Sequence, residues 1–517
     1  MSGGARSGSE RGDGAPGVMG TRPRGTWFGA AVLAALVMML SGAVILTGRV
    51  GTGESADQVN YHLPVIRTFA NEWPAPNLRS YDSATTPGYH LMMALVWSAS
   101  GASERWAENP KAPIGAGPSE AYPAVMLSGP EREAWGAFVR DLRPMQAVNV
   151  LLSVGLVLTV YLTAARFVAW WAALALSLPL ALNQYVLGAS IWLTTDNAGW
   201  WCALAALAAA MTARGAGGLL KAGAWASIGV LVRQVHLWVG GPIAAAGLLA
   251  WLMGRREERG RSLASTLVAC AVPALIVAGF VWVWGGLTPP SDRIRAVHGK
   301  GINLAAAPFA LAVFGAYAVF AWSAWRDEAV RVTKRWGLVV SVAIGAAALA
   351  LLIPTSTQAP TLTDPPQRGY GWLWKLSGAL PAPDERAVVL TLGAGFGAAV
   401  LVLMFNAARR RGNGCGALIQ LVGLACWLLA QAMNPVAWQR YFDPIVLTAV
   451  AWLAALGVPD SRRRGLALGA VMLAVMMAGL SYRSIWKDLA RDELPFDGGV
   501  LKMQGRLEPV TAPARHL

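Results

Sequence analysis

Two stretches near the start of the chain hold residue types that can do chemistry: "DQVNYHLP", from Asp57 to Pro64, and "YDSATTPGYH", from Tyr81 to His90. A carboxylate held at a lipid–water boundary can take a proton from an alcohol, and Asp57 stands a few residues after the first long apolar run. Outer loops also carry many solvated Asp residues with no role. His62 reads as a hydrogen-bonding or sugar-contacting side chain rather than a second base. Pro64 suits the first turn of a helix but not its interior, so a helix is expected from about Leu63, with Asp57 to His62 as an extended approach to it. Ile66, Phe69, Ala70 and Trp73 recur at three- and four-residue spacing, a stripe that would lie on the membrane surface. In "TTPG", Thr86 is the expected N-cap and Pro87 the first helical residue. The helix terminus this makes suits a phosphate, or is a well-capped interfacial helix and nothing more.

The elements that must position these residues are membrane spans. The chain has 517 residues, 55% of them hydrophobic and 14% charged, with a mean hydropathy of +0.45. It repeatedly offers windows of about 20 apolar residues. This is the pattern of an all-α integral membrane protein with many spans. The net charge of +15 does not indicate a nucleic-acid partner, because the arginines cluster in short breaks between apolar runs, where they set topology. The four cysteines, Cys202, Cys270, Cys415 and Cys426, fall in or beside apolar runs and have the spacing of neither a zinc site nor a disulfide framework. His62, His90, His236 and His298 lack helical metal-binding spacing, so no metal and no other cofactor is expected.

Residues 1–26, rich in Gly, Ser and Arg, read as a disordered cytoplasmic tail, and the apolar run that follows reads as a signal anchor. Spans are expected at 27–48, 145–165, 168–189, 197–213, 218–233, 236–253, 263–284, 303–325, 336–354, 387–406, 415–433, 442–458 and 466–483. That makes about thirteen within a membrane domain at 27–483, followed by an extracytoplasmic tail at 484–517. With this count "RREERGR" (255–261), "RDEAVRVTKR" (326–335) and the two "RRR" runs (409–411 and 462–464) share the side of the N-terminal tail, as basic loops should. A large first external loop at 50–142 then carries interfacial helices, with 87–100 lying on or dipping into the membrane. Segment 218–253 is the weak point. Arg233, Gln234 and His236 make either a tight turn between two short spans or an interruption of one long helix.

Seven short segments, in order, resemble motifs of the membrane glucosyltransferases that use dolichyl-phosphate-glucose to add the terminal α-1,2-linked glucose to lipid-linked oligosaccharide. "DQVNYHLP" with "YDSATTPGYHL" looks like that family's Asp-Glu-aromatic-His-x-Pro stretch and its Thr-Thr-Pro-Gly turn. "LRPMQAVNVLL" (142–152), "LTTDNAG" (193–199) and "LVRQVHLWV" (231–239) are similar to three further segments. "WGGLTPPSDRIRAVHGKGINLAAAPF", "TDPPQRGYGWLWK" and "WQRYFDP" match the remaining ones. The acidic residue that follows the family's first Asp is Gln58 here, and one residue is inserted before His62. The resemblance implies a distant member with the GT-C fold of multispan glycosyltransferases. The implied membrane is the plasma membrane in a bacterium, the endoplasmic reticulum in a eukaryote. The implied partners are a polyprenyl-phosphate-linked sugar donor, a lipid-linked or cell-envelope glycan acceptor, and membrane lipid.

A polyprenyl-phosphate sugar has a good leaving group, so such an enzyme needs a base for the acceptor hydroxyl and a cationic cradle for the phosphate. One carboxylate suffices for inversion, whereas a retaining route needs a second. Asp57 is the expected base. Arg233, Arg368 and Arg440 are the expected phosphate ligands, with His298 and Arg293 behind them, although an Arg at a span's end also serves as a snorkelling anchor. His62, Thr86, Asp196, Gln234, Asp292, Tyr370 and Tyr441 are the expected substrate contacts, and Asp196 has a helix cap as its rival role. A mannosyl- or arabinosyltransferase is the alternative within this class. A polytopic transporter or lipid-linked-sugar flippase is the alternative outside it.

Overall fold

A computed structural model describes residues 24–47, 57–103, 129–291, 294, 301–332, 336–359 and 367–486. Among them there is no strand, only an isolated antiparallel bridge between Gln358 and Val436. In chain order the helices are α1 (Arg24–Thr47), α2 (Leu63–Asn71), α3 (Gly88–Ala99), α4 (Gly129–Ala164), α5 (Trp170–Ala181) and α6 (Gln184–Ile191). They continue with α7 (Asp196–Met211), α8 (Ala216–Val232), α9 (Gly240–Met253), α10 (Arg256–Trp284), α11 (Ala306–Ala318) and α12 (Trp322–Val332). The last six are α13 (Trp336–Leu351), α14 (Trp372–Ala379), α15 (Val388–Arg410), α16 (Gly414–Ala432), α17 (Asp443–Gly457) and α18 (Arg463–Ser481).

Seven helical segments are long and apolar enough to cross a membrane, nine if each of two bent pairs counts as one span, and three shorter apolar helices accompany them, all among the described residues. The chain is a multi-pass membrane protein. Helix α3, with 12 residues, is about 18 Å long, too short to cross a hydrocarbon core of about 30 Å.

The expected span at 303–325 is replaced by α11 and α12, which meet at a bend of 101°. Three-residue hydrogen bonds tighten the chain at 320–322, and α12 beyond them is amphipathic and charged, so it does not continue the crossing. The pair α5 and α6 bends by 69°, where Asn183 caps α6 by accepting from the N–H groups of Tyr185 and Val186.

Segment 218–253 doubles back. A Cβ added at Gly223 would lie 2.5 Å from Ala269, and one at Gly247 would lie 2.0 Å from Thr266, so both halves press on the same stretch of α10. On one straight helix residues 223 and 247 would be about 36 Å apart, whereas Thr266 and Ala269 are about 5 Å apart. The break falls at Arg233, which has extended backbone angles (φ −150°, ψ 116°).

At the centre lies α17, every residue of which is buried, as expected for a helix apolar on all sides. It fixes the two ends of the bundle. Beyond its C-terminus, Arg462 bonds Asp327 of α12 at 3.0 Å, and Arg410 bonds Glu328 beside it at 3.0 Å, so three of the basic breaks meet at one end. Before its N-terminus lies the turn that carries Arg440, at the other end.

Candidate active site

Asp57 does not precede α2 as extended chain. Its backbone is helical (φ −63°, ψ −42°), and Gln58–His62 form one π-type turn that runs straight into α2, with the Leu63 N–H donating to the Gln58 carbonyl. Pro64 thus falls inside a continuous helical stretch, where it has no N–H to donate and its ring crowds the preceding turn, and the wider π-type turn ahead of it makes room for the ring. The turn puts Asp57, Tyr61 and His62 on the wall of one cleft. Gln58 faces away from it, buried, and accepts from the Leu193 N–H at 2.8 Å.

The Asp57 carboxylate is ion-paired with Arg440. Arg440 also donates to the Tyr441 hydroxyl at 3.1 Å and lies over the rings of Trp438, 4.6 Å away, and Tyr441, 5.1 Å away. It sits in a one-turn 3₁₀ helix, Gln439–Tyr441, that a buried network holds rigid. The Gln439 side chain donates to Asp443 Oδ1 at 3.1 Å and to the Tyr317 hydroxyl at 3.3 Å, and accepts from the Leu373 N–H at 3.2 Å. Asp443, 1% exposed, also accepts from Asn183 at 2.8 Å and Tyr317 at 2.9 Å. Such a buried carboxylate is tolerable only because neutral donors surround it.

A second pair mirrors the first. Asp196, the first residue of α7, is ion-paired with Arg233, and the Arg233 guanidinium lies 5.4 Å from the Tyr441 ring centroid. Tyr441 is thus in contact with two arginines, each already holding a carboxylate. All four charged side chains are 14–21% exposed. At that burial each pair is screened little by salt, and removing one partner leaves an uncompensated charge.

Beside them His62 Nδ1 and His90 Nε2 are hydrogen-bonded at 3.0 Å, with stacked rings whose centroids are 5.2 Å apart. Burial lowers the His62 pKa to about 4, against the opposing pull of the Asp57 and Asp196 carboxylates. Burial, helped by the neighbouring His62, holds His90 well below its ordinary value. Both rings are neutral at pH 7, so one donates and the other accepts.

The cleft has a volume of about 1480 Å³. Its polar end holds the two ion pairs, His62 and Tyr441, and its apolar walls include Val277 and Trp284 from α10 and Trp427, Ala430 and Met433 near the end of α16. The arrangement can hold a molecule with an anionic group at one end and a long apolar part at the other. Among the described residues no cluster of three or more His, Cys, Asp or Glu could hold a metal ion.

The structure brings together Asp57, His62, Asp196, Arg233, Gln234, Arg440 and Tyr441. It gives three expected contacts other work. The Thr86 hydroxyl does not cap α3. It donates to the Val230 carbonyl at 2.6 Å, and a Cβ on Gly88 would meet the Leu231 carbonyl oxygen at 2.6 Å. With α8 packed against its start, α3 offers no room for a phosphate there. The Gln234 amide is a clamp: it accepts from the Thr86 N–H at 3.1 Å and donates to the carbonyls of Ala84 at 2.7 Å and Leu287 at 2.8 Å, which occupies the groups expected for sugar hydroxyls. Asp196 is no cap either, since its carboxylate is taken by Arg233 and the cap position is Thr195.

Arg368 donates to the Thr355 carbonyl at 3.2 Å, and Tyr370 packs on Trp438 with ring centroids 5.2 Å apart. Neither is among the residues lining the cleft. Asp292, Arg293 and His298 lie outside the described residues. Sequence reasoning missed Gln439, Asp443 and Trp438, of which Asp443 opens α17 at the head of the span expected at 442–458. The signal was there: an Asp directly before a Pro and an apolar run, four residues after a Gln.

No protein-family model matches the sequence, and no curated protein matches it. Among solved structures, the chain is similar to the Archaeoglobus fulgidus oligosaccharyltransferase. The apo form aligns at 15% identity and a TM-score of 0.48, over 88% of this chain and 56% of that one. The complex with Zn and sulfate aligns at 15% identity and a TM-score of 0.46, over 88% and 52%. The chain spans about half the length of that protein. A likeness at this level carries no inference about activity or ligand.

Proposed function

We propose that the chain is a membrane glycosyltransferase of the GT-C type. It moves a hexose, glucose first among the candidates, from a polyprenyl-phosphate donor to a hydroxyl of a lipid-linked or other envelope glycan. The observation that supports this reading is the cleft itself, with Asp57 and two guanidiniums at its polar end and apolar walls from α10 and α16. A prenyl tail fits such walls, a phosphate fits Arg440 and Arg233, and a carboxylate next to them fits the base the reaction needs. The order of the sequence motifs supports the same class.

In this reaction the acceptor oxygen attacks the anomeric carbon and its proton passes to the Asp57 carboxylate. The bond from that carbon to the phosphate oxygen breaks, and its electron pair leaves with the polyprenyl phosphate, whose added charge Arg440 and Arg233 stabilise. The attack comes from the side opposite the leaving group, so the anomeric configuration inverts. Asp196 stays paired with Arg233 and orients it.

The test incubates purified protein and its Asp57→Asn variant with polyprenyl-phosphate-linked glucose, mannose or arabinose in the presence of membrane extract. Sugar incorporation by the wild type alone is the expected result, and the preferred donor decides between the glucosyl reading and its mannosyl and arabinosyl alternatives. Undiminished incorporation by the variant removes Asp57 as base. Movement of the intact donor across a vesicle membrane with no incorporation favours a flippase.

A further inference from the structure

Resting on the proposed donor class, the geometry points to a competition inside the cleft: the Asp57 carboxylate occupies Arg440 in the empty enzyme, and the donor phosphate takes Arg440 from it, so that loading the donor is what frees the base.

Three observations carry this. First, Asp57 and Arg440 are ion-paired, and each is 15–21% exposed, so both face the cleft without being dissolved in water. A carboxylate oxygen that accepts from a guanidinium is engaged, and an acceptor hydroxyl has to displace that charge-assisted bond to reach it. The base as it stands is occupied.

Second, the second arginine of the cleft is occupied in the same way, Arg233 by Asp196. An arriving phosphate therefore meets two guanidiniums whose charge is already balanced, and with Asp196 staying on Arg233 it is Arg440 for which it must compete. It is the stronger ligand, since it brings more charge and matches the guanidinium fork with several oxygens.

Third, Arg440 cannot follow Asp57 away. Its turn is fixed by the Gln439–Asp443–Tyr317 network, its guanidinium is bonded to the Tyr441 hydroxyl, and it lies over the Trp438 ring. The cation is held in place, and the carboxylate is the member of the pair that moves.

Binding and chemistry are then ordered. An acceptor that enters before the donor meets a paired carboxylate, and the base is released to it only when the donor is in place.

The test measures binding of farnesyl phosphate to the purified full-length protein in detergent, with farnesol as the control that lacks the phosphate. Asp57→Asn removes the competitor and leaves Arg440 in place, so it is expected to bind farnesyl phosphate tenfold or more tightly than the wild type, with farnesol binding unchanged. Asp57→Asn protein that is folded by thermal melting and binds farnesyl phosphate no better than the wild type overturns the competition while leaving the proposed donor class standing. If the wild type binds farnesyl phosphate no better than farnesol, the donor class falls, and the competition with it. Should the variant not fold, the infrared difference spectrum of the wild type on adding farnesyl phosphate asks the same question. A shift of a carboxylate band from its arginine-paired position supports the competition, and unshifted carboxylate bands overturn it.

Discussion

Both ends of the bundle are tied with arginine–carboxylate pairs, and they differ in what surrounds the pairs. At one end Arg410 meets Glu328 at 2.8 Å and Arg462 meets Asp327 at 2.8 Å. The two arginines there are 53% and 32% exposed, Asp327 is 37% exposed and Glu328 is buried, and the pairs tie α12 to the end of α15 and the start of α18. At the other end Asp57–Arg440 and Asp196–Arg233 are 14–21% exposed, touch one tyrosine and line a cleft. The same chemistry fastens helices where water reaches the arginines and becomes a candidate site where all four charged groups are shielded and an apolar cleft wall is adjacent. The Arg462–Asp327 pair, exposed on both sides, is worth about 0 to 1 kcal/mol.

The sharpest way to break that contrast is to neutralise one carboxylate at each end. Asp57→Asn is expected to lower the transfer rate by about 10²- to 10⁴-fold, the usual worth of a general base, and Asp327→Asn to change it less than twofold. Equal losses from the two variants in the same transfer assay would erase the distinction between site and fastening.

Next in size are the arginines. Arg440→Gln is expected to lower kcat/KM for the donor by roughly 10²-fold, the scale of losing one charge-assisted contact to a leaving phosphate. Arg410→Gln is expected to leave kcat/KM unchanged and to lower the melting temperature, because it takes the near partner from the buried Glu328 carboxylate. Steady-state kinetics over a range of donor concentrations distinguishes them.

The smallest expected effect is on pH dependence, and it belongs to the site end alone. Because His62 is lowered to about 4 and His90 is lowered too, the folded protein keeps both neutral in a range where the unfolded chain, with values near 6.5, binds protons. Stability from this pair is therefore complete above about pH 6.5 and declines as the pH falls toward 4. Melting temperature followed from pH 8 to pH 4 should drop over that window in the wild type and drop less in His90→Gln. Identical curves would mean the histidine pair does not set the acid response.

How much of this was legible in the sequence depended on range. Apolar periodicity and length marked most helices, and the doubling back at Arg233 was one of the two readings offered, because Arg, Gln and His cannot sit together in lipid. The charged breaks at 326–335, 409–411 and 462–464 were expected on one side, and bonds from Arg410 and Arg462 to α12 bring them together. What failed was local geometry: helical backbone from Asp57 to His62 was not expected because Pro64 was taken as a start, whereas a π-type turn ahead of the proline lets the chain be helical there as well. What was illegible was pairing across the chain. Asp57 and Arg440 are 383 residues apart, and Asp196 and Arg233 are 37 apart. Nothing in residue type says which arginine a carboxylate will meet, so residues expected to hold substrate turned out to hold each other. Gln234 and Thr86 were expected in the site by their polarity, and their polar groups are consumed by backbone partners that only tertiary packing supplies.

The central claim is that the cleft between the two ion pairs and the α10–α16 walls holds a prenyl phosphate, and photolabelling tests it directly. A prenyl phosphate with a photoreactive group in its tail should attach to Val277, Trp284, Ala430 or Met433, and the labelling should be lost with excess unlabelled farnesyl phosphate. Labelling confined to the lipid-facing side of α10, such as Trp282, which is 89% exposed, with no competition by farnesyl phosphate, would contradict it.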